Sequence, residues 1–134
     1  MLIKFNKKDN TQLTEHFTVA EFACPCPDCS INYVDDALVN KLELIRVALG
    51  PLRITSGYRC PSHNKSVGGV PDSAHQAGMA ADVQPIPLNI DDLDKLFEKC
   101  TELFDNIGDG RRLHFVHVDV RAPKPNGVKR TWTY

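Results

Sequence analysis

Residues 54–83 read ITSGYRCPSHNKSVGGVPDSAHQAGMAADV, and this Gly-punctuated stretch gathers the residue types that metal chemistry needs. Within it Ser73, His75, Gly78, Ala80 and Asp82 follow the spacing S-x-H-x-x-G-x-A-x-D, which sets an imidazole and a carboxylate on either side of small residues. A further histidine, His117, lies downstream in FVHVDVR. Two histidines and one carboxylate suffice to hold a zinc ion with its fourth position open, the arrangement of a catalytic rather than a structural site.

The rest of the chain reads as support for that stretch. At 134 residues it fits one domain, 1–134, whose core needs no covalent staples. A formal net charge of -1 with 25% charged residues leaves no basic surface excess for nucleic acid or an anionic membrane. The start, MLIKFNKKDNTQLTEHF, has no apolar run of signal-peptide length, and nothing approaches the ~20 apolar residues of a membrane span. The expectation is a cytoplasmic, monomeric protein without membrane insertion. Of five cysteines, Cys24, Cys26 and Cys29 crowd into ACPCPDCS, and Cys60 sits in the central stretch. An odd count without a leader argues against a disulfide framework. The C-x-C-x-x-C cluster with Cys60 offers a possible second zinc site; the alternative is a turn-rich segment of reduced thiols.

Residues 1–16 are polar and basic and read as a loose N-terminal arm or an edge strand. Thr18 and Glu21 have capping-box spacing for a short helical turn over Phe17–Phe22. Leu38, Leu42, Ile45 and Leu49 recur on one face of a helix over Asp36–Leu49, which Asp35 caps and Gly50-Pro51 stops. Leu52–Ser56 reads as a buried strand that delivers Tyr58 and Arg59 to its end. Loop follows until a strand at Ala80–Val83. A second amphipathic helix covers Asp91–Phe104, with Cys100 on its apolar face, and Gly108-Asp109-Gly110 reads as a turn. In the strand Leu113–Val120, alternation puts Phe115, His117 and Asp119 on one face and Val116, Val118 and Val120 on the other. A turn at Asn126-Gly127 leads to a final strand or extended segment with Trp132 and Tyr134. The fold class expected is α+β, a small antiparallel sheet with helices packed on one side.

SGYRCPSHN, then SAHQAGMAAD, then FVHVDVR resemble the zinc D-Ala-D-Ala carboxypeptidase and phage endolysin family, whose fold is shared with the hedgehog signalling domain. The likeness runs from about Phe17 to Trp132, with the motifs in the family's order. It implies a hedgehog/DD-peptidase-like fold, Zn2+ as cofactor, and His75, Asp82 and His117 in the places of the three metal ligands. It puts Arg59 in the place of the arginine near the substrate carboxylate. It further implies hydrolysis of peptide bonds in the stem peptides of bacterial peptidoglycan, as carboxypeptidase or endopeptidase. With no leader visible, the resemblance suits a phage or prophage protein that reaches the host wall after release.

The residues agree with that chemistry and leave one role open. Amide hydrolysis needs a strong nucleophile, a polarised carbonyl and a proton donor, and zinc serves the first two. In the best-known branches of the family an acidic residue lies three positions before the last histidine ligand; here His114 stands there. A histidine can take a proton from the attacking water. Strand parity, however, sets His114 opposite His117 unless an irregular strand start turns it inward. Asp119 shares the face of His117, as base or as an acceptor that orients the imidazole. For substrate binding, Arg59 matches a terminal carboxylate or forms a structural ion pair, and Ser73 donates to substrate or caps the loop carrying His75. Two rival readings are a zinc-containing peptide- or wall-binding module that has lost catalysis, and an interaction protein organised by its cysteines.

Overall fold

A computed structural model describes residues 1–134. Its elements are three helices, α1 (Asp36–Leu49), α2 (Pro61–Ser66) and α3 (Ile90–Leu103), and seven strands. The strands are β1 (Leu2–Asn6), β2 (Ile31–Asp35), β3 (Leu52–Ser56), β4 (Ala80–Pro85), β5 (Asn106–Gly110), β6 (Phe115–Asp119) and β7 (Arg130–Thr133). The main sheet has the order β3-β4-β6-β5-β7, and β1 pairs with β2 in a separate ribbon. Mixed helix and strand was expected; two features were not. β7 joins the sheet parallel to β5, so the sheet is not wholly antiparallel, and the two-stranded ribbon is additional.

Local chemistry explains the helix limits. Asp35 caps α1 by accepting from the Ala37 backbone N–H at 2.9 Å, and Gly50, at φ 98, ends it in a backbone region that suits glycine. Asn89 caps α3 in the same way through the Asp92 N–H. The capping box also forms, with the Glu21 carboxylate accepting from the Thr18 N–H at 2.8 Å. Leu38, Leu42 and Ile45 of α1 and Leu93, Leu96 and Cys100 of α3 are buried together against Ala81, Val83, Ile107, Val116 and Val118 of the sheet. Each large aliphatic so buried contributes ~1.5–3 kcal/mol relative to exposure. Leu49, expected on the same apolar face, is 40% exposed, because it falls in the last turn beyond the edge of the sheet-facing stripe.

Two stretches differ from their sequence reading, and a third decides between two alternatives. Of the arm and the edge strand read for the N-terminus, Leu2–Asn6 form a strand: they pair with Ile31–Asp35, Phe5 is buried, and the Met1 ammonium meets the Asp36 carboxylate at 2.5 Å. Asn106–Gly110, read partly as a turn, is a full strand; its glycines have no side chain because rings lie there, Trp132 over Gly108 and Phe115 over Gly110. The strand expected from Leu113 starts at Phe115, since Arg111–Leu113 form a 3-10 turn.

Alternation within β4 and β6 then positions the site. Ala81 and Val83, with Val116 and Val118, face the helices, so Asp82, His117 and Asp119 project from the opposite face. Asp82, His117, Gly108 and Trp132 stand in one cross-strand row. Between β3 and β4 the register shifts around Thr55, a bulge beside the site. Gly78 holds the chain between His75 and Asp82 at φ 73, and a Cβ there would come within 2.7 Å of the Tyr33 carbonyl oxygen. Gly78→Ala is therefore expected to destabilise the protein by at least ~1–2 kcal/mol, the cost of the left-handed backbone alone, and thermal melting of the variant against wild type checks this.

Candidate metal centre and groove

His75, Asp82 and His117 come from a loop, from β4 and from β6, and each offers a ligand atom within 4.8 Å of the other two. All three are buried. His75 Nδ1 lies 2.7 Å from the Gly57 carbonyl oxygen. A carbonyl only accepts, so Nδ1 carries the proton and Nε2 is bare. That Nε2 is buried without a hydrogen-bond partner and stands 3.4 Å from Asp82 Oδ1. His117 is held similarly: Nε2 meets Asp119 Oδ2 at 2.9 Å, and Nδ1 meets Asp82 Oδ1 at 2.9 Å.

Asp119 is itself fixed by Arg121, whose Nε donates to Oδ1 at 3.0 Å and whose Nη2 donates to Oδ2 at 2.9 Å. Its side chain is fully buried. Carboxylates face both nitrogens of His117, and the tautomer that donates Nε2–H to Asp119 leaves Nδ1 free toward Asp82. Two imidazole nitrogens and a carboxylate oxygen then converge on one buried point, where positive charge is required. A tetrahedral zinc with bonds of ~2.1 Å would set its ligand atoms ~3.4 Å apart, the spacing found between His75 Nε2 and Asp82 Oδ1. The residues fit the metal.

The electrostatics report the same demand. Burial opposes a charge on Asp82, yet the His117 and His75 rings outweigh it and hold the carboxyl well below the usual range. Burial likewise opposes ionisation of Asp119, and His117 with Arg121 overcomes it. For His117 burial pulls downward, but Asp119 and Asp82 raise its pKa above the usual imidazole value. A proton on His117 and a cation beside it are thus alternative answers to one negative environment.

The three residues open onto a groove of about 510 Å³ that also takes in Arg59, Ser73, Phe115, Arg121, Trp132 and Tyr134. Arg59 is anchored by Ser56 Oγ at 3.2 Å and Asn64 Oδ1 at 3.2 Å, and its Nη2 stands 3.5 Å from Asp82 Oδ2. Arg59 thus lines the groove and stands beside a carboxylate of the chain itself. Ser73 lines the groove and also accepts from the His75 N–H at 3.2 Å.

His114 is elsewhere. It ends the 3-10 turn at φ 68, its carbonyl accepts from Gln84 Nε2 at 3.0 Å, and its exposed side chain lines a different cavity of about 710 Å³ with Arg111 and Arg112. The irregular strand start anticipated there exists, but it turns His114 away from the metal ligands. The rings of the tail were missed as site residues: Trp132 lies 5.1 Å from His117 and Tyr134 5.0 Å from Phe115. Their signal was the packing of Trp132 and Tyr134 over Gly108, visible only once β7 is known to lie beside β5. The partnership of Arg121 with Asp119 was missed too, though R-two-after-D in HVDVR is a strand-face spacing.

The four cysteines outside the groove also converge. The Sγ atoms of Cys24, Cys26, Cys29 and Cys60 all lie within 4.8 Å of one another, and none is in a disulfide. No helix is long and apolar enough to cross a membrane. No curated protein matches the chain. A family model described as Peptidase M15 does match, over residues 15–119, a span that includes all three converging ligands and every strand of the groove except β7. The chain belongs to the M15 peptidases, a zinc-dependent family.

Proposed function

We propose that the protein is a zinc peptidase that hydrolyses peptide bonds in the stem peptides of bacterial peptidoglycan, on a hedgehog/DD-peptidase-like fold. The observation that carries the reading is the bare, buried Nε2 of His75 facing Asp82 and His117. These three residues would hold the ion, which supplies a Lewis acid that activates water and polarises the scissile carbonyl. Every other part of the site orients something. The Gly57 carbonyl and Asp119 fix the two imidazole tautomers, and Arg121 fixes Asp119. Trp132 and Phe115 wall the groove, and Arg59, Arg121 and Arg130 give it positive charge suited to carboxylate-bearing peptides. Arg59 is the group proposed to receive a terminal carboxylate. Asp119, saturated by two partners, is proposed as an orienting acceptor rather than the base.

One observation favours a second reading. Asp82 is the only carboxylate lining the groove, so no free acid stands ready to take a proton from water. A zinc-containing wall-binding module would look the same. Zinc-loaded protein incubated with purified peptidoglycan separates the two: new amine ends or free D-alanine, abolished by chelator, support the peptidase. Binding of wall fragments without any release supports the module. Release of D-alanine alone marks carboxypeptidase action, whereas other new amine ends mark endopeptidase action. Arg59→Ala is expected to retain zinc while weakening cleavage of substrates with a free terminal carboxylate, read as a rise in KM. Chelation is expected to lower the melting temperature, because an ion that binds only the folded state stabilises it by mass action.

A further inference from the structure

We propose that Cys24, Cys26, Cys29 and Cys60 bind a second zinc ion, closed on all four sides by thiolates and structural in role. The sulfurs are already gathered: Cys26 Sγ lies 3.2 Å from Cys29 Sγ and 3.4 Å from Cys60 Sγ, and all four fall within 4.8 Å of each other. Four sulfurs at zinc bonds of ~2.3 Å stand ~3.8 Å apart in a tetrahedron. That separation exceeds the two shortest contacts by a few tenths of an ångström and lies inside the 4.8 Å limit.

The backbone is arranged to support negative sulfur. The Cys29 N–H points at Cys26 Sγ at 3.4 Å, the Cys60 N–H at Cys24 Sγ at 3.5 Å, and the His63 N–H at Cys60 Sγ at 3.4 Å. Asn32 Nδ2 approaches Cys29 Sγ at 3.6 Å. Each such donor favours thiolate over thiol. Four thiolates leave a zinc complex with excess negative charge, and the Lys7 ammonium, 3.9 Å from Cys26 Sγ, stands where it offsets part of it. Tyr58 and Tyr33 pack against the cluster, their rings 5.6 Å apart, so the site is shielded as well as closed.

What the ion would tie together explains why it is needed. The segment 24–30 has no helix or strand of its own. A metal would fasten it to the N-terminus of α2, where Cys60 follows directly on Arg59. It carries no open position for substrate, and is independent of the groove.

Metal analysis of the isolated wild-type chain should find a zinc equivalent beyond the one attributed to His75, Asp82 and His117. Zinc X-ray absorption on the same sample should show sulfur scatterers at ~2.3 Å together with nitrogen or oxygen ones. Cys29→Ser should lose the sulfur signal and one equivalent while the nitrogen and oxygen shell stays, and His75→Ala the reverse. The two sites therefore fail separately, and the absorption spectrum of wild type serves even where a variant does not fold. Nitrogen and oxygen scatterers alone, iron in place of zinc at the cysteines, or a protein mass lowered by the two hydrogens of a disulfide would each overturn the proposal.

Discussion

His75→Ala and His117→Ala are expected to abolish peptide hydrolysis and to remove the groove zinc, the largest functional effects of any single substitutions in this chain. The reason lies in the ligand count. Each histidine supplies one of three protein donors, and neither has a neighbour able to replace it: Ser73 Oγ is engaged with the His75 N–H, and Arg59 is a cation. Removal of either ring also leaves Asp82 buried with less compensation, against the burial that already opposes its charge. Hydrolysis of purified peptidoglycan and metal content, measured on the same preparations, check this. Normal turnover in either variant would place the chemistry elsewhere.

The second large effect separates Asp119 from His114. Asp119→Ala is expected to weaken groove zinc affinity ~10 to 100-fold, the typical cost of losing the partner that orients a ligand imidazole. Turnover should recover in part at saturating zinc, since the ligands themselves remain. His114→Ala is expected to hydrolyse like wild type, because its side chain is exposed on another cavity. The measurement is zinc titration alongside turnover at fixed, saturating metal. If His114→Ala instead lost two orders of magnitude or more in turnover with zinc intact, the scale of a positioned proton acceptor, the loop after Gly110 would have to rearrange in the active protein.

The contrast between these two residues shows how far the sequence reaches. Parity within β6 was legible: valines at 116 and 118 forced His117 and Asp119 to the other face, and β4 repeated the logic around Asp82. The helices were equally plain, since Asp35, Asn89 and Gly50 cap or end them by local chemistry alone. What escaped depended on contacts between distant segments. The parallel pairing of β7 with β5 brings Trp132 beside His117, and no local pattern in KRTWTY announces it. The pairing of β1 with β2 decided between the arm and the edge strand that the N-terminal sequence left open, for the same reason. His114 fell between these cases, because a left-handed residue at the end of a 3-10 turn belongs to neither helix nor strand period.

The tautomer assignment is the part of the site that only the three-dimensional contacts supply. A histidine in a sequence does not say which nitrogen is free. Here the Gly57 carbonyl claims Nδ1 of His75, and Asp119 claims Nε2 of His117, so opposite nitrogens of the two rings turn toward Asp82. Gly57 also has to be glycine: a Cβ there would come within 2.6 Å of the Phe22 Cα. The close approach that fixes the loop thereby helps to select the ligand atom.

Anomalous diffraction at the zinc absorption edge from crystals of the zinc-loaded protein tests the account most directly. The predicted result is a peak bonded to His75 Nε2, Asp82 Oδ1 and His117 Nδ1 at ~2.0–2.2 Å, with an open fourth position facing the groove. Absence of a peak among these three residues, or a peak that engages His75 through Nδ1, would contradict it.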